Sequence, residues 1–320
     1  MKNYFCTELG FEGKIPNNHT NLRALETWIK YLNATHLNIF KTLSNSDQYG
    51  GICWLVIPKG DEAVGFLIKH YPNVILNLKN KFEKIYCIQE GETTYWSNKL
   101  VSTQVWIYNQ FALSDRIYTQ NEYDKKFLKG LFYNIPIHII RSVLDESVLE
   151  KNNFLPKSNK AIIPGPCMFE YLGFSNNVIF QTLEIDVDVP PMGSSRMPKD
   201  SYNMENNINI NYLQYKGWKE WMENLSQYRY GMFMVGHIGA ATFPLNCGYF
   251  GIPCVGDNRA DTQKLIYPDL SVDYLDYHSS LSILKKLKED PIFYSEISKK
   301  SIELYNFHFN KTTFLEKLEL

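Results

Sequence analysis

The chain has 320 residues, of which 44% are hydrophobic and 21% charged, and its formal net charge is −1. That length suits two domains of roughly 100–200 residues each, and the composition excludes wholesale disorder. Near-neutral charge excludes a bulk attraction to nucleic acid or anionic membrane, though not a local basic groove; no stretch approaches the roughly 18 apolar residues of a membrane span.

Along the first 140 residues, short apolar strands alternate with amphipathic helices. Tyr4 to Thr7 reads as a strand, followed by a loop carrying Gly10, Gly13 and Pro16. A helix capped by Thr20 or Asn21 follows, with Leu22, Leu25, Trp28, Ile29 and Leu32 at helical spacing. Thr35 to Phe40 is a second strand. Ile52 to Ile57 is a third, almost wholly apolar and so expected to be buried on both faces. A helix from Asp61 to His70 leads into a predicted strand Val74 to Leu78, and Lys84 to Gln89 is another, ending in Glu90-Gly91-Glu92. Helices over Leu100 to Leu113 and Glu122 to Phe132 flank a strand Arg116 to Thr119, and Pro136 to Ile140 is the last strand of this series.

Asp145 to Asn159 is polar, asparagine-rich and contains Pro156, the profile of an interdomain linker. A second series starts at Ala161-Ile162-Ile163 and passes a long loop over Pro190 to Asn207. It continues through the strands Ile208 to Leu213 and Met232 to Val235 around a helix from Gly217 to Tyr228, then Pro253 to Val255 and Ser271 to Leu275. Helices from Ser279 to Lys288 and from Pro291 to Tyr305 complete it. Such alternation predicts an α/β protein of two doubly wound parallel sheets, with ligands at the carboxyl ends of the strands. Six scattered cysteines without a C-x-x-C pair read as buried free thiols. The first residues, Met1 to Cys6, lack the apolar core of a signal peptide, so a cytoplasmic protein of a bacterium, or of a phage host, is expected.

The strongest local feature runs from Gly236 to Val255: a strand end, a turn of small residues (Gly239, Ala240, Ala241), a short helix from Thr242, and Gly251-Ile252-Pro253 leading into a strand. Small residues at a helix start let backbone N–H groups approach a phosphate, which the helix dipole also favours. This segment resembles the donor-binding segment of retaining glycosyltransferases with the GT-B fold. The resemblance implies two Rossmann-like domains facing across a cleft. Residues 1–150 would form the acceptor domain and 151–305 the nucleotide-sugar domain, with 306–320 packing back on the first. It also implies a nucleoside diphosphate sugar as co-substrate, no obligatory cofactor, no metal, and retention of configuration.

The family's two glutamates in this segment are replaced here by Ile238 and Asn246. Asn246 retains ribose hydrogen-bonding capacity as donor and acceptor, and His237 is the neighbour that would reach the sugar. The usual Arg and Lys for the diphosphate are missing from Pro164 to Gly173, which leaves Arg196 and Lys199 as substitute candidates. In the first domain, Gly10 and Gly13 would lie against the donor. Lys14, Asn17, Asn18, His19 and Arg23 are acceptor-binding candidates, and Glu90 is a candidate base or sugar contact; for each, a polar turn in water is the competing reading.

Asp186-Val187-Asp188 matches the metal-binding Asp-x-Asp of the other large glycosyltransferase fold, but its alternation with Ile185 and Val189 reads as an edge strand with one wet face. A nicotinamide-type fingerprint is incomplete at Gly10-Phe11-Glu12-Gly13, and no phosphate-loop or nucleophile-elbow motif occurs. The expected activity is transfer of a sugar to a hydroxyl. The acceptor is a saccharide or a hydroxymethylated pyrimidine in phage DNA, the latter calling on Trp96, Trp106 and Arg116 for a groove. A sugar-nucleotide binder without turnover and a GT-B-like epimerase remain as alternatives.

Overall fold

The computed structural model describes residues 1–16, 19, 24–58, 60–93, 96, 98–149, 158–165, 172–191, 202–203 and 209–318. Contacts divide the chain into two compact units. Met1–His19, Ala24–Arg141 and Phe314–Leu320 form the first; Ser142–Thr313 lies in the second.

The first unit is a six-stranded, all-parallel sheet of β1 (Asn3–Thr7), β2 (Thr35–Asn38), β3 (Ile52–Val56), β4 (Lys84–Ile88), β5 (Arg116–Thr119) and β6 (Ile137–Ile139), in the order β2-β1-β3-β4-β5-β6. Every residue of β3 is buried, as expected for a central strand covered on both faces. Trp54 of β3 stacks on Phe5 of β1 at 5.7 Å. The order reverses between β1 and β3, which opens a crevice at their carboxyl ends. Phe314 meets Tyr31 edge-on, and the Tyr118 hydroxyl donates to the carbonyl of Leu318 at 3.3 Å, so the chain's last helix packs on this unit.

Three expectations fail here. The strand expected to run to Phe40 stops at Asn38, whose side chain accepts from the Phe40 and Lys41 N–H groups and caps a helix Ile39–Ser44. Val74–Lys79 is a helix, not a strand. Its buried residues Val74, Ile75 and Leu78 share one helical face, and the buried Gln110 amide accepts from the Ile75 N–H while donating to the Pro72 carbonyl. The first helix begins at Leu25, after Ala24 in a left-handed conformation; the expected caps Thr20 and Asn21 lie outside the described residues.

The second unit has seven strands. They are β7 (Lys160–Ile162), β8 (Asp186–Val189), β9 (Tyr202–Asn203), β10 (Asn209–Tyr212), β11 (Tyr230–Phe233), β12 (Cys254–Asp257) and β13 (Ser271–Val272). The order is β13-β12-β11-β7-β8-β10-β9, parallel except that β9 runs against β10. Without β9 this is the doubly wound arrangement that reverses between β7 and β11. The β8 strand lies between β7 and β10 and is no edge, which corrects the wet-face reading. Asp188 is buried. It accepts from the Tyr228 hydroxyl and the Asn211 amide, both at 2.6 Å, and lies 3.6 Å from Lys160. Burial and that carboxylate push the Tyr228 phenol well up. Cys6, Cys53, Cys87, Cys247 and Cys254 are free and buried; Cys167 lies outside the described residues.

Candidate functional site

In the second unit the crevice between β7 and β11 is flanked by the segment after β11. Met234 and Val235 continue the buried strand direction, Gly236 and His237 are half-buried, and Ile238 turns into the core. Gly239 then takes φ +50° and Ala241 φ +44°, and the helix Thr242–Tyr249 begins. A Cβ built on Gly239 meets nothing within 4 Å, so the space beside this turn is open. The helix itself sits close to its neighbours. A Cβ on Gly248 would come within 2.8 Å of Ile266, so only a glycine there lets the helices Thr242–Tyr249 and Asp261–Ile266 approach.

The carbonyls of this segment are held by side chains around it. Asn176 donates to Met234 O at 2.9 Å, Arg259 to Val235 O at 3.0 Å, Ser142 to Ala240 O at 2.8 Å and Thr262 to Ala241 O at 2.7 Å. The Ala241 N–H closes a turn onto Ile238 O at 3.1 Å. The N–H groups of Gly239 and Ala240 have no hydrogen-bond partner among the described residues. Carbonyls tied back and amides left over, at a helix amino terminus, make an anion cradle; a helix terminus alone contributes about 0.3–1 kcal/mol toward a negative charge.

Asn246, one turn into the helix, is buried, and its Oδ1 has no partner. With the side chain closed off in this way, its expected contact with a ribose rests on the sequence alone. Among the described residues, a cation at this end of the sheet is Arg259, which sequence reasoning missed. Its guanidinium is gripped by the buried Asp257 carboxylate and lies 3.8 Å from the Tyr274 ring. The signal in the sequence was Asp-x-Arg at a strand end (Asp257-Asn258-Arg259), but its meaning depends on β11 lying alongside. Arg196 and Lys199 lie outside the described residues.

In the first unit the segment after β1 folds back onto β2. Gly13 and His36 exchange both backbone hydrogen bonds at 2.8 Å. The buried His36 ring bonds the Phe11 carbonyl through Nδ1 at 2.6 Å and Thr7 Oγ1 through Nε2 at 2.7 Å, and Phe11 packs on it at 4.2 Å. Gly10 is exposed, Gly13 half-buried and Lys14 exposed, and added Cβ atoms on Gly10 and Gly13 meet nothing within 4 Å. His19 Nε2 lies 3.1 Å from Oε1 of the buried Glu26, an anchor the sequence reading did not include. Burial raises the Glu26 carboxyl above its ordinary range, the His19 hydrogen bond opposes this, and the nearby Glu90 charge adds to it. Glu90 is half-buried at the end of β4, so His19, Glu26 and Glu90 gather at the carboxyl edge of one sheet. Asn17, Asn18 and Arg23 lie outside the described residues.

The aromatic groove suggested for DNA is absent as drawn. Trp106 is buried with its indole N–H on Pro72 O at 2.9 Å, Trp96 donates to Gln89 at 2.8 Å, and Arg116 lies over the Tyr86 ring at 5.1 Å. Among the described residues, no group of three or more His, Cys, Asp or Glu is placed to hold a metal ion, and no helix is long and apolar enough to cross a membrane.

No family model and no curated protein matches the sequence. Solved structures do match in fold. An alpha-glucosyltransferase in complex with UDP aligns with a TM-score of 0.65 at 11% identity, covering 99% of this chain and 98% of its own. The same kind of enzyme, in complex with UDP and a 13-mer DNA containing a HMU base, aligns at 0.65 and 10% identity over 98% and 97%. Sucrose-phosphate synthase from Thermosynechococcus elongatus gives 0.65 at 9% identity over 99% and 97%. TarM gives 0.59 at 12% identity over 83% of this chain, which spans only 53% of TarM's length. The fold is that of the GT-B glycosyltransferases, two doubly wound α/β units matched over the whole chain.

Proposed function

We propose that the protein is a glycosyltransferase that moves a sugar from a uridine diphosphate sugar to a hydroxyl acceptor, with retention of configuration and no obligatory metal. The observation that carries this is the cradle at Gly239 and Ala240: unpaired amides beside open space, at the switch point of a doubly wound sheet. The similar alpha-glucosyltransferase structures hold UDP.

In this reading the second unit, residues 151–305 in the main, binds the donor. Gly239 and Ala240 receive the diphosphate in front of the helix start at Ala241 and Thr242, Arg259 supplies positive charge, His237 faces the sugar, and Asn246 is the ribose candidate on sequence grounds. The reaction breaks the bond between the anomeric carbon and the phosphate oxygen. The electron pair leaves with the diphosphate, so charge develops where the cradle stands, and stabilising it there lowers the barrier. The first unit, residues 1–150 with the chain's end, holds the acceptor through the loop of Gly10, Gly13, Lys14 and His19, with Glu90 beside it. The acceptor oxygen bonds to the anomeric carbon on the face the phosphate leaves, and its proton passes to the departing phosphate oxygen. Arg196, Lys199, Asn17, Asn18 and Arg23 belong to the proposal on sequence grounds alone.

For the acceptor, a hydroxymethylated pyrimidine in DNA is the first reading and a saccharide the second: the alpha-glucosyltransferase solved with DNA containing a HMU base matches this chain end to end, and so does sucrose-phosphate synthase. Incubating the protein with UDP-glucose or UDP-N-acetylglucosamine and hydroxymethylated DNA, then weighing the nucleosides by mass spectrometry, tests it. A hexose or N-acetylhexosamine mass increment is the expected result. Transfer to saccharides only overturns the acceptor. Donor binding without turnover identifies a binding protein, product without acceptor identifies an epimerase, and no binding of any nucleotide sugar sinks the whole reading.

A further inference from the structure

Nine of the eighteen large hydrophobic side chains exposed among the described residues lie between Leu100 and Tyr133, about a tenth of the chain. Six of them come from two helices and three, Leu100, Leu113 and Tyr133, flank these. Val101–Ala112 contains no charged residue. Its inner face buries Trp106, Ile107 and Phe111, yet its outer face presents Val101, Val105 and Tyr108 at i, i+4 and i+7, with Leu100 at its start. Ser102 and Asn109 share that outer face, so the helix is uncharged with an exposed apolar stripe as well as a core-facing one.

The helix Glu122–Leu131 extends the same surface with Tyr123, Phe127 and Leu131, and Tyr133 follows at 85% exposure. Both helices are crossovers of consecutive parallel strands, β4 to β5 and β5 to β6, so the right-handed rule puts them on one face of the sheet. Tyr108 stacks on Phe132 at 4.9 Å and joins the two. Exposed apolar side chains gathered on neighbouring helices of one sheet face mark a candidate interaction surface.

The charge around it is one-sided. Of the two acids in the second helix, Asp124 is buried against Thr93 and Asn121, and Glu122 lies 3.9 Å from Lys125. Lys126 and Lys129 remain exposed without partners among the described residues. Apolar and tyrosine side chains flanked by unpaired lysines fit the boundary between acyl chains and anionic headgroups. A second copy related by a two-fold axis would instead bring four lysines to one rim with no free acid of these helices to meet them.

We propose that this face docks the protein, peripherally, on anionic phospholipid bilayers. Val101, Val105, Tyr108 and Phe127 enter the headgroup boundary, and Lys126 and Lys129 lie against lipid phosphates. The inference does not rest on the transferase reading. The test is cosedimentation of the full chain with vesicles of phosphatidylcholine and phosphatidylglycerol in equal parts, and with phosphatidylcholine alone. Binding to the anionic vesicles should exceed binding to the neutral ones by at least roughly tenfold and weaken with salt. Val105→Glu and Phe127→Glu should each lower it by roughly tenfold with an unchanged melting temperature, and Lys126→Glu with Lys129→Glu should abolish the preference for phosphatidylglycerol. No binding to anionic vesicles, or binding that both glutamate variants leave intact, overturns the proposal. So does a lipid-free dimer that Val105→Glu dissociates in a protein that ignores vesicles.

Discussion

Arg259 and Asp257 form a fork-and-carboxylate pair at the end of β12, with Nε donating to the two carboxylate oxygens at 3.0 and 2.9 Å. Through Nη2 the same guanidinium reaches across to the Val235 carbonyl, so one side chain ties β12 to the start of the cradle segment after β11. Asp257 is wholly buried, and removing its partner strands a charge. Arg259→Ala should therefore destabilise the protein by about 3 kcal/mol in urea unfolding. Adding Asp257→Asn should recover part of that loss, because the neutral amide no longer needs a cation. If the single variant unfolds like the wild type, the pair does not hold this end of the sheet.

Gly239 separates backbone strain from occupied space. Its φ of +50° makes any side chain cost about 1 kcal/mol, but the Cβ itself meets nothing. Gly239→Ala should lower the melting temperature by only a few degrees. If a diphosphate occupies the space beside the turn, the methyl group also crowds it, and UDP affinity by calorimetry should fall by roughly tenfold. Unchanged UDP binding would move the phosphate elsewhere.

His36 gives the first unit a pH dependence whose sign follows from its burial. The Phe11 carbonyl can only accept, so Nδ1–H donates to it and Nε2 of the neutral ring accepts from the Thr7 hydroxyl, whose oxygen also takes the Leu9 N–H. Burial disfavours the charged ring and lowers the His36 pKa below 6.5. In that window the unfolded chain binds more protons than the folded one, so this contribution is intact above 6.5 and is lost as pH falls toward the folded pKa. Urea unfolding between neutral and mildly acidic pH should show the decline, and His36→Gln should flatten it. A His36 imidazole that titrates above 6.5 by NMR contradicts the assignment.

Much of the fold was legible because parallel strands buried on both faces are written as apolar runs; Ile52 to Val56 leaves little choice. The same rule misled at Val74 to Leu78, where Val-Ile-Leu-Asn-Leu reads as a strand only until Gln110, thirty-odd residues away, supplies the bonds that start a helix. Asp188 was misread because its partners Tyr228 and Asn211 come from elsewhere in the chain. The turn at Gly239 was visible from its small residues. The donors that tie back its carbonyls, Ser142, Asn176, Arg259 and Thr262, were not, because each arrives from a different element. Exposure is likewise invisible in sequence: Val101 and Val105 look like core until their neighbours are known.

The pairing of His19 with Glu26 separates an acceptor contact from a structural one. With Glu26 ionised, Nε2–H of His19 donates to it at 3.1 Å, and Nδ1 is left as an acceptor with no partner among the described residues. In the proposed reaction Nδ1 takes a hydrogen bond from a donor group of the acceptor other than the reacting hydroxyl, worth about 1 kcal/mol. His19→Ala should then raise the acceptor KM by five- to tenfold or so, while the donor KM and donor hydrolysis stay put. Glu26→Gln keeps an oxygen for Nε2–H and should cost less than Glu26→Leu, which frees the ring to rotate. Because burial raises the Glu26 carboxyl above 4.5, it stabilises the fold below that value and loses this contribution as pH climbs through its raised pKa. Glu26→Gln should remove that slope. A His19→Ala enzyme whose acceptor KM is unmoved, or whose donor KM rises instead, shows that the dyad serves the loop rather than the acceptor.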